Sequence, residues 1–153
     1  MAMDGKLYVA GGGDGIGTYF SSVERYDPAT NVWEAVAAMG TERVGHCAAV
    51  LDGKLYVAGG KDIYTDNLSS ADSVERYDPA TNAWELVAAM SGVRSALAAT
   101  LSMVVLDEKL YAAGNRNGEP LNSKERYDPA TNTWEVLAME YPFTNGNVFV
   151  VAL

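Results

Sequence analysis

Val23-Glu24-Arg25-Tyr26-Asp27-Pro28-Ala29-Thr30-Asn31-Val32-Trp33-Glu34 is spelled, with small changes, three times in this chain. It returns from Val74 to Glu85, and again from Lys124 to Glu135 with Lys124 in place of the leading valine. Each tyrosine stands seven positions before its tryptophan (Tyr26 and Trp33, Tyr77 and Trp84, Tyr127 and Trp134), whereas the tryptophans recur after 51 and then 50 residues. Fixed spacing inside the unit with slight drift between units marks a rigid hairpin joined by adjustable loops. A period of this length reads as a propeller or another repeat array. Asp-Pro-Ala-Thr-Asn is the turn of the hairpin: Asp accepts local backbone hydrogen bonds, Pro fixes φ, and Asn tolerates unusual dihedrals at the exit.

Upstream of the first hairpin stands Asp4-Gly-Lys-Leu-Tyr-Val-Ala-Gly-Gly12, a short apolar run bounded by glycines, which predicts a buried strand. It recurs from Asp52 to Gly60 and, degraded, from Asp107 to Asn115. The paired glycines end the strand where a side chain would collide or positive φ is needed; Asn115 tolerates the left-handed region. A loop of varying length follows each pair. Downstream, the tryptophan strand ends near Ala37, Ala88 and Ala138. A polar joint carrying Arg43 or Arg94 then leads into a strand of small residues, Gly45 to Leu51 and roughly Ala96 to Leu106, the second with four extra residues that suggest a bulge or longer loop. Each unit is thus a four-stranded antiparallel meander without helix, and stacking against its copies buries both faces.

Composition narrows the function classes. Nearly half of the 153 residues are apolar, which supports a packed core. The net charge of −9 argues against nucleic-acid phosphates as a partner. The single cysteine, Cys47, has no intramolecular disulfide partner, and the single histidine, His46, supplies no His-rich metal site. With no signal-peptide pattern at Met1 and no apolar run near membrane-helix length, a reducing cytoplasmic setting is expected, with no membrane partner.

The sequence resembles the Kelch repeat family. The matching residues are the glycine pairs Gly11-Gly12 and Gly59-Gly60, then Tyr26, Tyr77 and Tyr127, then Trp33, Trp84 and Trp134. The resemblance implies that each unit is one blade of a β-propeller, that the Tyr and Trp side chains pack between blades, and that the glycine pair ends the second strand. Asn115 and the four-residue expansion before Leu110 depart from the pattern in the third unit. By phase, the chain opens on a second strand and closes on Asn147, Val148, Phe149, Val150, Val151, Ala152 and Leu153, which align with Gly45 to Leu51 and so form a first strand. In Kelch propellers of this arrangement the last strand completes the first blade. Three blades fall short of the 4 to 8 of a propeller ring; two chains give six. The expectation is one all-β Kelch domain over residues 1–153 that forms a six-bladed ring as a twofold homodimer. Blade 1 would be about 5–39, completed by 147–153 of the partner, blade 2 about 44–90 and blade 3 about 95–139.

In substrate-adaptor Kelch domains that this chain resembles, ligands sit over one mouth of the channel, against residues after the glycine pair and at the start of the inner strand. Transferred by position, these are Asp14, Lys61, Asp62, Arg116 and Asn117 after the glycines, with Arg43, Arg94, Ser95 and Asn145 at the inner-strand starts. Tyr19, Phe20 and Tyr64 in the variable loops add apolar anchors.

Other motifs have plainer readings. Gly11-Gly-Gly-Asp-Gly-Ile-Gly17 fits no G-x-G-x-x-G register and precedes no helix, so it reads as a blade loop. His46 and Cys47 are neighbours on a strand and point to opposite faces, which argues against a base and nucleophile. Asn67-Leu-Ser69 matches a glycosylation acceptor by chance. Glu24-Arg25, Glu75-Arg76 and Glu125-Arg126 repeat with the blade, which favours a structural role. With no catalytic constellation, no cofactor and no metal site in view, the chain reads as a non-enzymatic propeller scaffold for protein or peptide binding or self-assembly. Two alternatives stay open. One is a hydrolase or oxidoreductase in the ring's channel. The other is an engineered or excised half-propeller with no evolved ligand, since Val23–Met39 and Val74–Met90 agree at 15 of 17 positions.

Overall fold

The computed structural model describes residues 1–60, 72–92, 101–113 and 124–137. Every regular element among them is a strand. The first sheet contains β1 (Ala2–Met3), β2 (Lys6–Ala10), β3 (Val23–Asp27) and β4 (Val32–Val36). The second contains β5 (His46–Leu51), β6 (Lys54–Gly59), β7 (Val74–Asp78) and β8 (Ala83–Val87). The third contains β9 (Ser102–Leu106), β10 (Lys109–Ala113), β11 (Lys124–Asp128) and β12 (Thr133–Leu137). Each is an antiparallel meander with its strands in sequence order. The three four-stranded blades are as the repeat predicts.

The repeated turn works through its side chains. Asp27, Asp78 and Asp128 each accept from the backbone N–H two residues on, at 2.9, 2.9 and 3.0 Å. The same carboxylates pair with Lys6, Lys54 and Lys109 of the neighbouring strand. Asn31, Asn82 and Asn132 take φ of 57°, 50° and 52°, the left-handed region that asparagine tolerates. This closes the hairpin in a register that sets Tyr26, Tyr77 and Tyr127 directly opposite Trp33, Trp84 and Trp134.

Stacking builds two cores. Tyr8, Val23 and Met39 of the first blade meet Leu55, Val57 and Tyr77 of the second. Tyr56, Ala58, Val74 and Met90 of the second meet Leu110, Ala112 and Tyr127 of the third. Each large apolar side chain so buried contributes about 1.5–3 kcal/mol. The Trp–Asn pairs of the second and third hairpins also grip the blade before them. Trp84 Nε1 donates to Ala37 O at 2.8 Å while Ala37 N donates to Asn82 Oδ1 at 3.0 Å. Trp134 and Asn132 hold Ala88 in the same way, both at 2.8–2.9 Å. Both polar groups of the residue just past the outer strand are thereby satisfied from the next blade.

One strand expectation is corrected. The chain does not open on a second strand, because β1 already lies on the inner edge of the first blade, pairing Ala2 with Leu7 and Met3 with Lys6. The terminal amine donates to Tyr8 O at 2.8 Å, and Tyr8 N donates to Met1 O at 2.7 Å. Burial drives the placement: Met3 fills the inter-blade core, as Leu51 does one blade later. β1 is still a stub, two residues where β5 has six. The strand expected at 147–153 lies outside the described residues.

Candidate functional site

A meander puts its short hairpin turns on one rim and its longer connections on the other. The turn rim carries Asp4-Gly5, Asp52-Gly53 and the three Asp-Pro-Ala-Thr-Asn turns, nearly identical from blade to blade. The loop rim carries the connections that vary in length and sequence.

The described loop of this rim, residues 11–22, is a small folded unit. Gly12 N donates to Arg43 O at 2.8 Å and Met39 N to Ser21 O at 2.9 Å, tying the loop to the connection into the second blade, while Phe20 N donates to Gly12 O at 3.0 Å within the loop. Gly11 has φ 62°, and a Cβ there would stand 2.6 Å from Arg43 O. Gly60, with φ 78°, would place one 2.8 Å from Val44 O. Collision and positive φ therefore both demand glycine at these strand ends.

Asp14 sits exposed at the loop tip. Its Oδ1 accepts from Ile16 N at 2.9 Å and Thr18 N at 3.0 Å, and these bonds hold its carboxyl below the ordinary range. The Thr18 side chain bonds the same carboxylate. Ile16 beside it is the most exposed large apolar side chain among the described residues, and Phe20 is also exposed. Tyr19 is half-buried against Gly13. Ile16 escaped the sequence reading; an isoleucine alone among glycines was the available signal.

Arg43, expected to face a ligand, is instead fully buried. Its guanidinium donates to Glu75 Oε1 from Nε at 3.1 Å and Nη2 at 2.8 Å, to Gly59 O at 2.6 Å and to Ser73 Oγ at 2.7 Å. A buried carboxylate requires such a counter-charge, and the arginine so engaged braces the rim from within. Lys61, Asp62, Tyr64, Arg94, Ser95, Arg116, Asn117 and Asn145 lie outside the described residues.

His46 lies behind the loop, its buried Nδ1 meeting no hydrogen-bond partner among the described residues. Burial, then the Arg43 charge, pushes its pKa below the ordinary value. Cys47 points the other way and donates to Ala58 O at 3.6 Å. Among the described residues no three His, Cys, Asp or Glu side chains are grouped for a metal, and no helix could cross a membrane. On the turn rim a groove of about 510 Å³ runs between the second and third blades, past Lys54, Arg76, Asp107 and Lys109. Its two lysines are already paired with Asp78 and Asp128.

Comparison with known proteins agrees with this architecture. The chain is 38% identical over 89 residues to an F-box/kelch-repeat protein of Arabidopsis thaliana, covering 58% of this chain and 18% of that protein. It is 32% identical over 118 residues to Kelch-like protein 35 of Mus musculus, covering 74% and 18%. The chain therefore spans under a fifth of the length of these relatives. Among solved structures, that titled "Structure of YjhT" superposes with a TM-score of 0.73 at 20% identity, over 96% of this chain and 52% of that one. The model of the KLHDC2/KLHL20/DRC7 Kelch-repeats domain matches residues 1–148, and the chain belongs to the Kelch-repeat family.

Proposed function

We propose that this chain is a non-enzymatic Kelch propeller scaffold that binds a protein or peptide over its loop rim and pairs with a second copy into a six-bladed ring. The observation that carries the binding reading is the difference between the rims. One is built from near-identical turns whose Asp27, Asp78 and Asp128 are paired with lysines; the other presents exposed Ile16 and Phe20 beside the exposed Asp14 carboxylate. Lys61, Asp62, Tyr64, Arg94, Ser95, Arg116, Asn117 and Asn145 share these loops and inner-strand starts by sequence position. Their arginines would favour an acidic or polar peptide, through bidentate bonds.

The test is selection of displayed peptides on the purified chain, followed by titration calorimetry of those selected. Asp14→Ala, Ile16→Ser and Arg116→Ala should each weaken binding at least tenfold, while Thr131→Ala on the turn rim should not. Failure to select any peptide, or binding indifferent to all three loop-rim changes, would refute the reading.

In the ring, residues 147–153 would add to the inner edge of the partner's first blade, where β1 pairs only through Met1–Met3. Strand addition would remove that edge. Deleting 147–153 should lower the dimer's melting temperature; an unchanged melting curve would exclude the exchange.

A further inference from the structure

The two ends of the three-blade arc carry the two halves of a joint that the chain already builds twice. On the side facing the preceding blade, the second blade buries Leu55, Val57, Glu75 and Tyr77, and the third buries Leu110, Ala112, Glu125 and Tyr127. The first blade presents the same positions uncovered. Leu7 is 47% exposed where Leu55 and Leu110 are 1% and 0%, and Val9 and Glu24 are exposed likewise. Trp33 is 49% exposed, and its indole N–H meets no acceptor among the described residues, whereas Trp84 and Trp134 each donate to the blade before them.

The other end shows the converse. Leu51 and Tyr56 are buried beneath the third blade. Their counterparts on the third blade, Leu106 and Tyr111, are less covered: Leu106 is 54% exposed against 4% for Leu51, and Tyr111 is half-buried where Tyr56 is buried. Each end thus exposes apolar side chains at positions that are buried between blades inside the chain, as an interaction surface does.

We infer that the leading face of the first blade, centred on Leu7, Val9 and Trp33, docks on the trailing face of the third blade of a second copy, centred on Leu106 and Tyr111. The same contact recurs at the opposite seam. These side chains, and not a terminal strand alone, hold the assembly. The inference rests on the two-copy reading above and names its determinants. A second copy is the fitting occupant because its exposed end carries the positions that cover Leu55 and Leu110 inside the chain. The arc also matches about half of a longer chain of the same fold. A leading-to-trailing contact made twice by a twofold rotation closes and leaves neither face open.

The test is light scattering after size exclusion at micromolar concentration. The wild-type chain should run at twice its 16.3 kDa mass. Leu7→Lys and Leu106→Glu should each run as folded monomers, judged by circular dichroism, since both sites are open on the single arc. Mixing these two variants should restore the dimer mass through one Lys–Glu seam and one native seam. Mixing Leu7→Lys with Leu7→Glu should not. A folded wild-type monomer would overturn the inference and assign the faces to further blades of a longer polypeptide. Dimers that survive either single change, or rescue by the Leu7→Lys with Leu7→Glu mixture, would overturn it as well. Peptide binding by the Leu7→Lys monomer reports on the loop rim alone, so the scaffold reading can stand or fall separately.

Discussion

Arg43 and Glu75 form an ion pair at 2.8 Å in which neither side chain reaches solvent. Arg43 lies on the connection between the first and second blades and Glu75 on β7. The second carboxylate oxygen accepts from Gly40 N at 2.6 Å, so the pair fixes the path of that connection over the core. Glu125 does the same in the next blade, accepting from Ser91 N at 2.7 Å. Taking two charges out of water costs several kcal/mol per ion, and the donors around Glu75 offset it only while both partners are present.

Removing one partner should therefore be far worse than removing both. Arg43→Ala is expected to destabilise by about 3–5 kcal/mol, because it strands a buried carboxylate. Arg43→Leu with Glu75→Leu should lose less than the sum of the single changes. Urea denaturation at one fixed protein concentration measures all of these. Additive losses would show that the pair is not coupled.

The tryptophans join blades by packing and by a hydrogen bond. Trp84 lies 5.2 Å from Tyr77, centroid to centroid, and is half-buried beside its bond to Ala37 O. Trp84→Ala should cost about 2–4 kcal/mol, somewhat under the range for a fully buried indole. Trp84→Phe keeps the ring and loses only the donor, for about 1 kcal/mol. If the two variants prove equally destabilised, the hydrogen bond rather than the packing holds the joint.

The blade count and each hairpin were legible in the sequence, because Tyr, Asp, Asn and Trp repeat at fixed offsets and each has a local task. Asn82 was read as a turn residue; its bond to Ala37 N was not legible, since the two are 45 positions apart. Arg43 misled for the same reason. A charged residue at a strand start looks like surface until Glu75, 32 positions later, is seen to need it. Glu24 carries the same letter as Glu75 and is exposed, because burial depends on the neighbouring blade and not on the motif. β1 was missed because two residues hold too little pattern to read.

The Asp-Gly turns of the first two blades become Asp107-Glu108 in the third. Glu108 takes φ 57°, where Gly5 and Gly53 take 72° and 67°. A left-handed conformation costs an ordinary residue about 1–2 kcal/mol. Glu108→Gly should relieve it and stabilise the protein by about 1 kcal/mol, read as a higher denaturation midpoint. A lower midpoint would mean that the glutamate side chain supports the turn.

His46 should make stability depend on pH in a window that no other side chain occupies, since it is the chain's only histidine. Burial, then the nearby Arg43 charge, lowers its folded pKa below the ordinary 6.5. Between that lowered value and 6.5 the unfolded chain binds more protons than the folded one, so stability rises with pH there. On acidification the loss begins as pH falls through 6.5 and levels off once His46 protonates in the folded state. A second loss should follow below 3.8, where Asp27, Asp78 and Asp128, held low first by their lysine partners, take up protons. Their contribution is present above 3.8 and disappears as pH falls through their folded values. His46→Gln should flatten the upper window and leave the lower one in place. Urea midpoints measured every half unit from neutrality downward decide the matter. A wild-type profile already flat below neutrality, or a slope that survives in His46→Gln, would rule out His46 as the group responsible.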